Sequence, residues 1–125
     1  MSAPPSIEIK VVTQYVEDQS EPREERFVFA YHIQITNVSG KTCQLMSRHW
    51  LINDGTGGVE EVRGEGVVGK QPRLEQGQTF SYTSGAILKT PVGTMHGEYE
   101  FIDEDGETFV VDIPMFSLSV PNIVH

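Results

Sequence analysis

The sequence predicts an all-β protein, an antiparallel sandwich of about seven strands. Three observations support this fold class. Apolar and polar residues alternate through several segments at the period of two that a half-buried strand requires. Residues that favour turns recur between these segments. No segment shows the apolar spacing and the start and stop signals of a convincing helix.

Three strands are predicted in the first part of the chain. The clearest is Phe27–Thr36, in which five large apolar residues alternate with smaller or polar ones. Ile7–Val16 precedes it, joined by the polar loop Glu17–Glu25, and Asn37–Lys41 forms a turn after it. Thr42–Asn53 is the third strand. The residues expected to share one face of that strand are Gln44, Met46, Arg48, Trp50 and Ile52.

The second part of the chain continues the same pattern. Its predicted strands are Val59–Glu65, Thr79–Leu88, Thr94–Ile102 and Thr108–Leu118. The dipeptide Asp105-Gly106 predicts a tight hairpin between the last two. Pro114 interrupts the final strand, which places that strand at a sheet edge or at a bulge.

The strand count and the single tryptophan indicate which kind of sandwich this is. Trp50 on the third strand agrees with an immunoglobulin or fibronectin type III layout. The cysteine pair of antibody domains is absent, because Cys43 is the one cysteine, and this favours the fibronectin-like variety. Cys43 is expected to be a small buried hydrophobe. A closed barrel is the alternative fold.

Length and charge limit the classes of function. The 125 residues predict one domain, 1–125, with a flexible tail at Met1–Pro5. The net charge of −9 disfavours nucleic acids and anionic membrane surfaces as partners. The segment MSAPPSIEIK has no apolar run of a signal peptide, and no segment is apolar for long enough to span a membrane. A cytoplasmic location is therefore expected.

Gly64, Gly66 and Gly69 form a G-x-G-x-x-G spacing, which is known from phosphate-binding turns. Such a turn must open a helix, but Pro72 and Gly77 leave no room for one. No acidic residue follows about 20 residues later to hold a ribose. The glycines are therefore expected to shape a loop, and an anion-binding nest of backbone amides is the alternative.

Metal and catalytic sites receive little support from the sequence. The four histidines show no metal-ligand spacing, and one cysteine is too few for a common zinc site. Six acidic residues between Glu98 and Glu107 could gather a hard cation weakly, but a solvated hairpin tip is the preferred interpretation. No nucleophile motif of the G-x-S-x-G type occurs.

Five segments carry a resemblance to a known family. They are Tyr15–Pro22 (YVEDQSEP), Phe27–Asn37 (FVFAYHIQITN), Arg48–Gly57 (RHWLINDGTG), Val62–Phe101 and Val111–Leu118 (VDIPMFSL). Together they resemble the bacterial ApaG family. The resemblance implies a fibronectin type III-like sandwich and a single ApaG domain. It also implies an association with cobalt resistance and magnesium efflux, and a gene beside a diadenosine tetraphosphate hydrolase. Similar domains in certain eukaryotic F-box proteins and in a polymerase-interacting protein look like protein-interaction modules.

These observations predict a non-enzymatic protein-interaction module without a cofactor, acting as a monomer or weak homo-oligomer. Loops carried by a rigid scaffold are the usual place for such a function. The predicted contact surface is the loop made of Gly64, Gly66, Val67, Val68, Gly69, Lys70, Gln71 and Pro72. Binding or hydrolysis of a nucleotide such as a diadenosine polyphosphate through this loop is one alternative. Weak binding of a divalent metal by the acidic hairpin is the other.

Overall fold

The computed structural model describes residues 7–121, and the predicted tail Met1–Pro5 lies outside them. Eight strands occur in this range. They are β1 (Ile7–Tyr15), β2 (Phe27–Asn37), β3 (Cys43–Asp54), β4 (Val59–Glu65), β5 (Arg73–Leu74), β6 (Thr79–Leu88), β7 (Val92–Asp103) and β8 (Thr108–Ser119). Two short 3-10 turns, Glu17–Gln19 and Pro22–Glu24, lie in the polar loop after β1. The described part of the chain contains no helix with the length and apolar character needed to cross a membrane.

The strands form two antiparallel sheets packed as a sandwich, which confirms the predicted fold class. One sheet has the order β1-β2-β6, and the other has the order β4-β3-β7-β8 with β5 beside β3. The two-residue strand β5 pairs Leu74 with Cys43. It was missed because two residues are too few to show alternation.

The core lies between the sheets and is formed by the inward residues of both. The predicted apolar face of β2 is buried as expected, with Phe29, Ile33 and Ile35 at most 1% exposed. Trp50 packs edge-to-face against Tyr31 and Phe116, with ring centroids 5.5 and 5.8 Å apart. Edge-to-face geometry is favourable for aromatic pairs, so this cluster holds the two sheets together.

The predicted face of β3 is wrong over its first half, because a β-bulge reverses the alternation. Leu45 pairs with Phe101 and Ser47 with Glu100, so β3 carries one residue more than β7 at Met46. Cys43 and Leu45 consequently face the core, in place of Gln44 and Met46. From Arg48 onward the predicted face is correct.

The prediction made from Pro114 is confirmed. Strand β8 lies at the outer edge of its sheet. Its register against β7 shifts between Met95, which pairs with Phe116, and Gly97, which pairs with Ile113. Between these two pairs the chain advances three residues along β8 but only two along β7, so β8 carries the extra residue of a bulge. The proline lies within this bulge, where no regular ladder hydrogen bond is required of it.

Candidate functional site

The predicted interaction loop contains a closed two-residue turn between β4 and β5. The amide of Val67 donates to the carbonyl of Lys70 at 2.8 Å, and the amide of Lys70 donates back at 2.9 Å. Val68 and Gly69 occupy the tip with φ values of 44° and 78°. Positive φ at both central residues defines a type I′ turn. We call residues 67–70 the Val68 turn.

Gly64 does not belong to the loop, which corrects the predicted boundary. It lies within β4 and pairs with Arg48 across the sheet. A Cβ added to Gly64 would lie 2.7 Å from Nη1 of Arg48. The absence of a side chain therefore lets the guanidinium lie over the strand. From there Arg48 donates to the carbonyls of Glu65 and Gly66 at 3.1 and 2.9 Å.

The other two glycines of the motif have separate structural tasks. Gly66 has a φ of 62°, and a Cβ there would overlap the carbonyl of Lys70. Gly69 needs only its positive φ, since a Cβ would meet nothing within 4 Å. Loop geometry thus accounts for each glycine without a phosphate.

Three backbone amides of the loop donate hydrogen bonds within the protein. Those of Val67 and Lys70 close the turn, and the amide of Gly66 donates to the carbonyl of Met46 at 2.9 Å. No helix follows the glycines, because the chain continues into β5. A phosphate nest needs several convergent free amides, so this arrangement opposes the nucleotide alternative.

Few side chains of the predicted loop are available to a partner. Val67 is fully buried, whereas Val68 is 52% exposed, so the two valines do not form a common surface. Gln71 donates to the carbonyl of Met46 at 2.9 Å, and the carbonyl of Pro72 accepts from the amide of Leu45 at 3.0 Å. The exposed contact surface reduces to Val68, Gly69, Lys70 and part of Gln71.

A second feature, which the sequence analysis did not predict, is a groove between strands β4 and β6. One end is a cleft of about 350 Å³ whose lining includes Arg48, Trp50 and Ser84. The other end, of about 270 Å³, is lined by residues that include Asp54 and Lys89. Both ends share Ile52, Glu60 and Ile87, so the groove is continuous. Its parts come from strands in different sheets, which explains why no local sequence pattern reveals it.

One tyrosine lines the Arg48 end of this groove, and two others lie in the core. Tyr31 lines the cleft, and burial raises its pKa although a hydrogen bond to Ser84 opposes the shift. The hydroxyls of the buried Tyr82 and Tyr99 are 2.5 Å apart. Burial raises the pKa of both phenols, and the proximity of the pair raises that of Tyr99 further. The phenols are therefore neutral hydrogen-bonding groups at physiological pH.

Weak metal binding is the alternative interpretation of the acidic hairpin, and three of its acidic residues make contacts within the protein. Asp103 is buried and accepts hydrogen bonds from the amides of Asp105 and Glu107 at 2.9 and 3.0 Å. Glu104 accepts from the amide of Thr42, and Asp105 pairs with Lys41 at 2.7 Å. Among residues 7–121, no group of three His, Cys, Asp or Glu side chains is arranged to hold a metal ion.

His49 lies in another polar cluster, on the five-stranded sheet. Its Nε2 is 2.6 Å from Glu61 and its Nδ1 is 3.8 Å from Glu98. The hydrogen bond with His49, together with Arg63, lowers the pKa of the Glu61 carboxyl. This arrangement is a cross-strand polar contact of the kind that stabilises sheets.

Comparison with known proteins identifies the family. A family model described as the ApaG domain matches residues 17–103. Protein ApaG of Aromatoleum aromaticum is 53% identical over 119 residues, covering 95% of this chain and 94% of that protein. The chain belongs to the ApaG family. Protein ApaG of Salmonella arizonae is 51% identical over 121 residues, with 97% of each chain covered.

A solved structure of an ApaG relative has the same fold. It is that of a Bordetella pertussis protein named ApaA, which is 48% identical to this chain. The superposition has a TM-score of 0.93 and covers 96% of this chain and 98% of that one. The sandwich described above is therefore the fold of the ApaG family.

Proposed function

We propose that this ApaG-family protein is a non-catalytic protein-interaction module of the cytoplasm. It would act as a monomer or weak homo-oligomer, with the Val68 turn as one contact surface. The net charge of −9 supports a protein partner over a nucleic acid or an anionic membrane. A role in cobalt resistance or magnesium efflux, which the family resemblance implies, would then depend on a partner protein and not on an ion bound here.

The observation that carries the proposal is the backbone conformation of Val68. Its φ of 44° lies in the left-handed region, where a β-branched residue is an outlier. Occupying that region costs an L-residue about 1–2 kcal/mol, and Asn or Gly would reduce this cost. The valine side chain is also exposed, so it contributes little to the core. Strained residues of this kind occur at functional sites, and an exposed apolar tip suits contact with a protein.

The environment of Cys43 supports a function without a catalytic thiol. The thiol of Cys43 is buried and contacts the hydroxyl of Ser39 and the carbonyl of Lys41 at 3.5 and 3.4 Å. A catalytic thiol instead requires an adjacent base and access to substrate.

Affinity capture from a bacterial lysate tests the proposal. The baits are the natural protein, Val68→Asp, and the matched control Val12→Asp, which changes a valine that is 66% exposed on β1. We expect at least one protein to be retained by the natural and control baits and lost from Val68→Asp. Identical captures on all three baits would refute a role for the turn.

A parallel titration with ATP and diadenosine tetraphosphate, with and without magnesium, tests the nucleotide alternative. The amide signals of Gly66 and Gly69 report on the loop. Saturable shifts confined to these signals would replace the proposed function with nucleotide binding.

A further inference from the structure

Strand β6 presents an unprotected sheet edge to the groove described above. It pairs with β2 on one side, and no strand lies on its other side within residues 7–121. In an antiparallel sheet, about half of the amide and carbonyl groups of such a strand point outward. Six consecutive residues, Ser84 to Lys89, line the groove. Because side chains alternate between faces, a consecutive lining means that the backbone edge itself faces the groove.

The other sheet edges carry the features that normally prevent strand addition. Strand β8 contains Pro114 and a bulge, and β4 carries charged residues at Glu60, Glu61, Arg63 and Glu65. Strand β1 has charged residues at Glu8 and Lys10. In contrast, the 10 residues of β6 include no charge and no proline, and its register against β2 is unbroken. An edge without such protection is a template for another strand.

The groove also contains an arginine side chain that is suited to binding a carboxylate. Arg48 lines one end of the groove, and its hydrogen bonds within residues 7–121 use Nη1 alone. The N–H groups on Nε and Nη2 form the fork that binds a carboxylate in a bidentate manner. Tyr31 and Ser84 line the same end.

We propose that the β4–β6 groove binds an extended acidic segment of a partner protein, which adds a strand to β6 and places a carboxylate on Arg48. This inference rests on the proposed function and names the class of partner and its binding mode. Addition of a strand to a sheet edge is an established mode of peptide recognition. A second copy of this chain paired through β6 fits less well, since β6 offers no carboxylate to Arg48.

Selection from a random-peptide display library on the immobilised protein provides the probe. We expect the selected peptides to combine β-branched residues with an Asp or Glu. In NMR titrations of the labelled protein, they should shift the backbone amide signals of Ser84–Lys89. Replacing the peptide's Asp or Glu by Asn or Gln should weaken its binding to the natural protein about tenfold and should have little effect on its binding to Arg48→Gln.

Two controls distinguish strand addition from nonspecific binding. Ile87, which is 56% exposed and lines the groove, is changed to Asp, and the exposed Val12 on β1 is changed likewise. Binding should be lost with Ile87→Asp, whose carboxylate repels an acidic peptide, and retained with Val12→Asp. N-methylation of alternate peptide residues should abolish binding in one register and be tolerated in the other, since only alternate amides face β6.

Three results would overturn the inference. They are selected peptides that lack an acidic residue, equal effects of N-methylation in both registers, and the absence of any specific peptide. If the protein self-associates and Ile87→Asp abolishes this, the occupant of the groove is a second copy of the chain and not a peptide of a partner. Peptides that bind only at Val68, and are blocked by Val68→Asp, would refute the groove while supporting the proposed function.

Discussion

Substituting each glycine of the G-x-G-x-x-G motif by alanine should give three different losses of stability, because each glycine has its own structural reason. Gly66→Ala should be the most damaging. It combines a positive φ with an overlap between the new Cβ and the carbonyl of Lys70, which belongs to the backbone and cannot rotate away. We expect a loss above about 3 kcal/mol in the free energy of unfolding.

The other two substitutions should be milder. Gly69→Ala costs about 1–2 kcal/mol for its left-handed backbone, partly offset by a less flexible unfolded chain. Gly64→Ala displaces the Arg48 side chain and weakens its hydrogen bonds to two carbonyls. We expect this to lower the free energy of unfolding by about 1 kcal/mol. In an Arg48→Ala background this last cost should largely disappear, because the obstructing group is gone.

Urea unfolding followed by fluorescence measures these differences directly. Trp50 is the only tryptophan and is 2% exposed, so its emission reports on the core. Gly57→Ala is the matched control for Gly69→Ala, since Gly57 also has a positive φ and open space around its Cα. Equal losses at Gly64, Gly66 and Gly69 would contradict the separate roles assigned here.

Three further predictions concern the tip of the turn and the buried tyrosines. Val68→Asn should raise the free energy of unfolding by about 1 kcal/mol, because asparagine tolerates left-handed φ; calorimetry that shows a lower melting temperature would oppose the assigned strain. Tyr82→Phe and Tyr99→Phe should each lower the free energy of unfolding by about 1–3 kcal/mol, because each leaves one buried hydroxyl unpaired. In a double-mutant cycle measured by denaturation, the double variant should lose less stability than the sum of the two single variants. The folded-state pKa of both tyrosines is raised above the ordinary 10.0. Their contribution to stability is therefore complete below pH 10 and is lost as the pH rises further, so the double variant should show a weaker alkaline loss of stability than the natural protein.

Local patterns were enough to predict most of the fold. The alternation in β2 and the Asp-Gly turn before β8 each act within one strand or hairpin, and both are found as expected. The reversal of the β3 face at Met46 was not predictable in this way. A bulge is defined by the partner strand, and β7 lies about 50 residues further along the chain.

The candidate sites were harder to predict for the same reason. The glycine spacing drew attention to residues 64–72, but it could not show that Gly64 makes room for a side chain from β3. Nor could it show that Val67 is buried while Val68 is exposed. The one local signal for the groove was the absence of charge and proline from β6, which becomes informative only when that strand is known to lie at an edge.

Arg48 contributes to both proposed binding surfaces, whereas Val68 and Ile87 each belong to only one of them. Its Nη1 fixes the carbonyls of Glu65 and Gly66 at the base of the Val68 turn, while the guanidinium also lines the groove beside β6. A change at Val68 should therefore affect the turn alone, and a change at Ile87 the groove alone. Arg48→Lys keeps the charge but lacks the planar fork, so it should impair binding at both surfaces. If Arg48→Lys weakened binding at one surface only, the guanidinium would act at that surface alone, and its shared role would be refuted.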